Sequence, residues 1–280
     1  MVPVTKKTTK SRNSPERIKK KLALAESHIT GVDKDIKYLK MCVYARNGKG
    51  KTTFGASGPK PIILDCNEQG TPSIRHMKDV KVFHVNTWTD IDLAYWYLKA
   101  GKHDRLTVVI DSITSLENLC MKFILGDEAS RDPTRDPDTP DKRAYGKHKE
   151  LMQTIILQLR NLNMNVIFLA QERREFQDED SEEVPEVGPA LGGQARGTLM
   201  DCVTIIGRMY TRPTVQKVKK KVKGKTKVKS IEVPDFRMLL VNDHELYVSK
   251  VNVQDHGLPR VMRDPTIPKI LASVNKERED

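Results

Sequence analysis

From residue 38 onward, short apolar runs alternate with longer amphipathic stretches. The runs lie at 38–44, 61–65, 80–85, 106–111, 165–170 and 202–210. The first five hold five to seven residues each and are rich in Val, Ile and Leu, which predicts strands buried on both faces. Between them Ile91, Ala94, Tyr95 and Leu98 recur at helical spacing and stop at Gly101. Leu116, Leu119, Cys120, Phe123 and Ile124 form a second such stripe, and Leu151, Met152, Ile155, Ile156, Leu159 and Leu162 a third. Each stripe predicts a helix that lays one face on a sheet. Strand, helix and strand in this rhythm define βαβ units, so the expected fold class is α/β, a mostly parallel sheet flanked by helices.

Two connections are too long and polar for simple turns, 126–144 with prolines at 133, 137 and 140, and 172–191 with an acidic run at 178–186. Long loops in a compact α/β domain are commonly functional. Residues 211–233 alternate Val with Lys around Gly224, and period-2 alternation about a glycine predicts a protruding β-ribbon with lysines on its exposed face. Strand-like runs at 236–241 and 246–251 follow. The expected organisation is a basic, disordered N-terminal arm over 1–35, a core over 36–251 that carries the ribbon, and a C-terminal segment over 252–280.

Charge sharpens this division. The chain has 280 residues, with 49 Lys and Arg against 37 Asp and Glu, a formal net charge of +12. Residues 1–21 hold +7 of it and residues 215–230 hold +8, which leaves the rest at −3. A polyanion partner is expected at these two appendages and not over the body. No apolar run reaches the length of a membrane span, and the N-terminus lacks the apolar core of a signal peptide. The four cysteines are widely spaced, with no Cys-x-x-Cys pair, and read as buried thiols of a reducing compartment. A cytoplasmic protein is expected.

The most informative string is Ala45-Arg46-Asn47-Gly48-Lys49-Gly50-Lys51-Thr52-Thr53. It follows a strand and opens a helix, with the spacing of a phosphate-binding loop in which Ala replaces the first Gly. Glycines at 48 and 50 let backbone N–H groups converge on phosphates, and the helix starting at Lys51 adds its dipole. Lys51 would neutralise β- and γ-phosphates, and the Thr52 hydroxyl would ligate Mg²⁺. Residues 46–53 are therefore the expected nucleotide cradle.

The run 106–111 ends in Asp111, a carboxylate at the sheet edge where that loop lies, placed to hold the magnesium with Thr52. Glu68 follows the strand at 61–65 and is the candidate general base, with Asp65 the competing one. Gln171 directly follows the strand at 165–170, where its amide would sense the γ-phosphate. The guanine-reading pattern Asn-Lys-x-Asp is absent, which favours ATP.

With these residues in hand, the chain resembles the RecA-type ATPases, and among them the short phage-encoded RecA-like recombinases that assist single-strand annealing. The resemblance spans about residues 36–270 and rests on ARNGKGKTT at 45–53, ILDCNEQGT at 63–71, VVIDSIT at 108–114, VIFLAQE at 166–172 and LGGQARGTLMDCV at 191–203. It implies a catalytic glutamate at Glu68, a nucleotide sensor at Gln171, DNA-binding loops at 126–144 and 172–191, and a Lys-x-Arg element that reaches a neighbour's nucleotide. Here that element reads Lys250-Val251-Asn252, so Lys250 is the candidate residue acting in trans while the arginine is missing.

The two loops are acidic, so single-stranded DNA is expected on Lys217, Lys219, Lys220, Lys221, Lys223, Lys225, Lys227 and Lys229, aided by Arg173 and Arg174. The implied activity is ATP hydrolysis with Mg²⁺ in a homo-oligomer that binds single-stranded DNA and promotes annealing, with a single-strand binding protein as a further partner. A DnaB-type motor and a nucleotide-gated scaffold with little hydrolysis stay open as alternatives.

Overall fold

A computed structural model describes residues 15–29, 31, 36–68, 70–132, 134, 136, 139–175, 186–222, 225–254 and 256–276, with the backbone alone over 213–235. Two units separate, residues 1–35 and residues 36–280. In the first, α1 (Pro15–Ser27) is a helix without a single buried residue. This corrects the expectation of an arm disordered throughout: Glu16 sits in the first turn, and the run of Lys, Leu and Ala after it consists of good helix formers. The first 14 residues of the arm lie outside the described ones.

The second unit runs β1 (Lys40–Ala45), α2 (Lys51–Gly55), β2 (Pro61–Asp65), β3 (Lys81–His84), α3 (Trp88–Lys99), β4 (Thr107–Asp111), α4 (Ile113–Arg131), α5 (Lys142–Arg160), β5 (Asn165–Arg174), β6 (Val187–Pro189), α6 (Gly193–Cys202), β7 (Ile205–Val222), β8 (Lys225–Leu240), β9 (Lys250–Val251), β10 (Val261–Arg263) and α7 (Ile267–Val274). The strands form one sheet in the order β10-β8-β7-β1-β5-β4-β2-β3, with β6 on β5 and β9 on β7. From β7 to β3 every neighbour is parallel. The α/β class expected from the apolar rhythm, a mostly parallel sheet flanked by helices, is what the chain adopts.

Alternation along the central strands divides two cores. On β1, Cys42 and Tyr44 face the helices α3 to α6, where Ile91, Leu116, Ile156 and Leu199 are buried. Met41, Val43 and Ala45 face the other side, where Phe54 of α2 and Ile267, Ile270 and Val274 of α7 close the layer. The segment after residue 251 thus supplies structure to the same unit. Thr266 caps α7 by accepting from the Lys269 N–H, and the Ile267 N–H donates to Ser57 Oγ at 3.0 Å. Each buried aliphatic side chain of α7 is worth about 1.5–3 kcal/mol.

Both long connections are shorter than the sequence predicts. α4 continues to Arg131 and α5 starts at Lys142, capped by Asp141, so the first comprises 132–141. The buried Glu128 of α4 pairs with Lys147 of α5 at 2.6 Å, which holds these two helices together across it. The second is narrowed because β5 runs on to Arg174 and β6 pairs back on it, with Arg173 opposite Gly188. Residues 176–185, most of the acidic run, lie outside the described ones.

β7 and β8 build the ribbon, paired from Arg208↔Leu240 to Val222↔Lys225. The pairing of β7 with β1 ends at Arg208 and that of β10 with β8 at Met238, opposite Tyr210, so roughly 40 Å of two-stranded ladder continues past Tyr210. Its register slips between Arg212 and Thr214, and the slip takes in Pro213, a residue that cannot donate to a ladder. Alternate positions share a face, which corrects the single lysine face expected. Positions 220, 225, 227 and 229 fall on one side and 217, 219 and 221 on the other, with Lys220 opposite Lys227. Lys223 lies outside the described residues.

Candidate functional site

The register of the sheet decides what meets at its C-terminal edge. Ala45 pairs with Gln171 and Asp65 with Asp111, so β1, β2 and β4 end at one edge, which β5 passes at Gln171, beside the loop that follows β1. That loop turns on Gly48 at φ 72° and Gly50 at φ 89°, left-handed conformations open to glycine, and Gly50 caps α2. Residues 47–53 line a cleft of about 540 Å³, together with Glu68, Gly70, Pro72, Ser73, Asp111 and Gln171. Of the expected cradle, residues 47–53 line the cleft while Arg46 points out to Glu172, and four of the expected chemical groups, Lys51, Glu68, Asp111 and Gln171, join them.

Lys51 is 7% exposed, and its ammonium donates to Ala45 O and Gln171 Oε1, each at 2.9 Å. Burial lowers its pKa, against the opposing pull of the Asp111, Glu68 and Glu172 charges. Thr52 Oγ1 donates to Asp111 Oδ2 at 2.6 Å. Burial pushes the Asp111 carboxyl up to about 6; the Thr52 hydrogen bond and Lys51 oppose this, while the Glu68 and Asp65 charges add to it.

Asn67 takes a left-handed φ of 64°, and the Glu68 N–H donates to Asp65 Oδ1 at 3.1 Å, which turns the chain back after β2. Asp65 thus braces the turn that presents Glu68. Glu68 Oε1 accepts from the Ser112 and Ser115 hydroxyls, each at 2.5 Å, and Oε2 accepts from Gln171 Nε2 at 2.9 Å.

The residues fit a magnesium-bound triphosphate. Thr52 and Asp111 already converge, and beside them sits Gly70, where a Cβ would come within 2.6 Å of Thr52 Oγ1 and 3.4 Å of Asp111 Oδ2. The missing side chain keeps that space open. Thr52 would be the ligand, with Asp111 behind it.

Contacts that sequence reasoning missed tie the outside of the loop to the root of the ribbon. Lys49 Nζ donates to Thr211 Oγ1 at 2.9 Å. Glu172 accepts from Arg46 Nε at 3.0 Å and from Arg208 Nε at 2.7 Å. Burial alone would raise its pKa, but these two guanidiniums hold it below the usual carboxylate range. The Arg237 side chain packs over Gly50, where a Cβ would meet its Cδ at 2.7 Å.

Other expected residues sit elsewhere. Lys250 is remote from the cleft, its ammonium donating to Met200 O at the end of α6 at 2.6 Å. Arg173 and Arg174 end β5, not a loop, and Arg173 borders a separate cleft of about 610 Å³ with Lys149, His148 and the start of α6. No helix among the described residues is long and apolar enough to cross a membrane. Cys42, Cys66 and Cys120 are buried free thiols, and burial pushes Cys120 up to about 12 with the Glu117 charge adding to it.

A glycine-turned loop between a buried strand and a helix, with Lys and Thr at its end and a carboxylate on a parallel strand two places away, defines a P-loop nucleotide-binding domain. The chain belongs to the AAA domain family, whose sequence model matches residues 37–250. No curated protein matches it. Solved structures do, 68 chains in all. Among them is the crystal structure of the flagellar accessory protein FlaH from Methanocaldococcus jannaschii. It is 9% identical, with 81% of this chain and 89% of that one covered and a TM-score of 0.30.

Proposed function

We propose that this chain is an ATP-hydrolysing, single-stranded-DNA-binding protein that promotes strand annealing, in the manner of the short RecA-like recombinases it resembles. Residues 47–53 hold the triphosphate, with Lys51 set against the β- and γ-phosphates. Thr52 and Asp111 are the residues for Mg²⁺, which when bound neutralises charge developing on the phosphate oxygens. Glu68 takes the proton of the attacking water, and Gln171, bonded to both Lys51 and Glu68, links phosphate binding to the base.

The observation that carries the DNA part is the join between loop and ribbon. A lysine-rich two-stranded ladder leaves the sheet from strands whose roots are bonded to the phosphate loop through Thr211 and, by way of Glu172, Arg208. Phosphates gathered along the ladder and phosphates held in the cleft then act on one connected piece of structure. Nucleotide at interfaces between copies, and a single-strand binding protein, complete the proposal. A nucleotide-gated scaffold is the second reading, supported by Lys250, which engages its own chain instead of standing free for a neighbour.

The test is an annealing assay on complementary oligonucleotides with ATP and Mg²⁺, run beside a variant with Gln at the eight ribbon lysines. Wild-type protein should accelerate annealing. The variant should lose both that acceleration and most of the salt dependence of single-strand binding, about 0.7 in log–log slope per lost phosphate contact. An unchanged slope would move the DNA path off the ribbon.

A further inference from the structure

We propose that Ser112 and Ser115 are positioning residues for turnover, two hydroxyls that hold the Glu68 carboxylate so that a single acceptor position is left for the attacking water. This rests on Glu68 as general base. Ser112 is fully buried at the join of β4 and α4. It caps α4 by accepting from the Ser115 N–H at 3.2 Å. Its hydroxyl has two acceptors in reach, Glu68 Oε1 at 2.5 Å and Ser115 Oγ at 3.3 Å. The nearer, charged acceptor takes the proton. Ser115 donates its own proton to the same Oε1 at 2.5 Å.

An ionised carboxylate offers about four acceptor positions. The two serines fill both on Oε1, and Gln171 Nε2 fills one on Oε2. The fourth, on Oε2, is the one that remains. The serines also resist a competing pull, because Lys51 is near enough for the Glu68 charge to act on it. Without the hydroxyls the carboxylate turns about its terminal bond toward that ammonium and leaves the position in which it meets water. Neither serine borders the cleft where the loop residues lie, so nucleotide affinity does not depend on them.

The experiment compares full-length wild type with Ser115→Ala, Ser115→Thr, the double variant Ser112→Ala/Ser115→Ala, and Glu68→Gln. It reads kcat and KM for ATP with Mg²⁺ and single-stranded DNA, and the Kd of a non-hydrolysable ATP analogue. Ser115→Ala should lower kcat by about 10- to 100-fold, leave KM and Kd within about twofold, and be rescued by Ser115→Thr, which keeps the hydroxyl. Ser115→Ala leaves the α4 cap in place, so the result does not hinge on a variant that loses it. A kcat within twofold of wild type in the double variant, with Glu68→Gln inactive, overturns the serine role and spares the base. Parallel loss of kcat and Kd overturns it in favour of a structural one. Full turnover in Glu68→Gln removes the base assignment, and this inference falls with it.

Discussion

Asp111 is 3% exposed and carries its charge beside two other carboxylates, with a hydroxyl and one ammonium as its compensation. Its pKa, about 6 in the fold against the ordinary 3.8, means that the folded chain binds its proton more tightly than the unfolded chain does. The contribution of Asp111 to stability is therefore fullest below pH 4, where both states are protonated, and falls as pH rises through the window from 4 to 6. About two pH units of separation correspond to about 3 kcal/mol lost by neutral pH. Asp111→Asn removes this penalty. The Asn carbonyl still accepts from Thr52, but an amide left without an acceptor costs about 1–3 kcal/mol, so the net gain at pH 7.5 is about 0–2 kcal/mol. For a unit spanning 36–280 that is a rise of at most about 8 °C in Tm. The assay is thermal melting of both proteins from pH 4 to 8 without nucleotide or metal, then at pH 7.5 with Mg²⁺ and ATP. The difference should grow as pH rises from 4 to 6 and stay level above, and added Mg²⁺ and ATP should stabilise wild type more than the variant. A Tm difference independent of pH would refute the buried-charge reasoning, and equal stabilisation by Mg²⁺ and ATP would take Asp111 out of the metal site.

Lys51→Ala removes the ammonium that now bonds Ala45 O and Gln171 Oε1 and would turn to phosphate. Two charge-assisted hydrogen bonds at about 1.5–3 kcal/mol each predict a loss of about 10²–10⁴ in ATP affinity by calorimetry, and near-native affinity would contradict the site. Gly70→Ala places a methyl within 2.6 Å of Thr52 Oγ1, so Mg²⁺-dependent turnover should need about tenfold more metal while the Tm stays within a few degrees. An unchanged Mg²⁺ titration would place the ion away from Thr52.

The residues legible in the sequence share one property: each lies next to its own strand. Asp111 ends its apolar run and Gln171, Glu68, Lys51 and Thr52 follow theirs by one to eight positions, and in a parallel sheet the C-terminal ends of such runs share one edge. Local pattern therefore places them. It does not show Ser112 and Ser115, which meet Glu68 across 44 and 47 positions and look like an ordinary helix cap. Nor does it show Glu172, which Arg46 reaches from just past β1 and Arg208 from within β7. The extension of β5 to Arg174 depends on pairing with β6 beyond a long gap, and α7 packs by way of residues more than 200 positions away. The two-sided placement of the ribbon lysines follows from the register that sets Val222 opposite Lys225, and alternation alone does not reveal which strand position opposes which.

The most direct test of the account is the rate of phosphate release from ATP with Mg²⁺, measured with and without single-stranded DNA. The account predicts turnover that rises with single-stranded DNA and loses that rise when the ribbon lysines become Gln. ATP binding without turnover in either condition would contradict it and leave the nucleotide-gated scaffold.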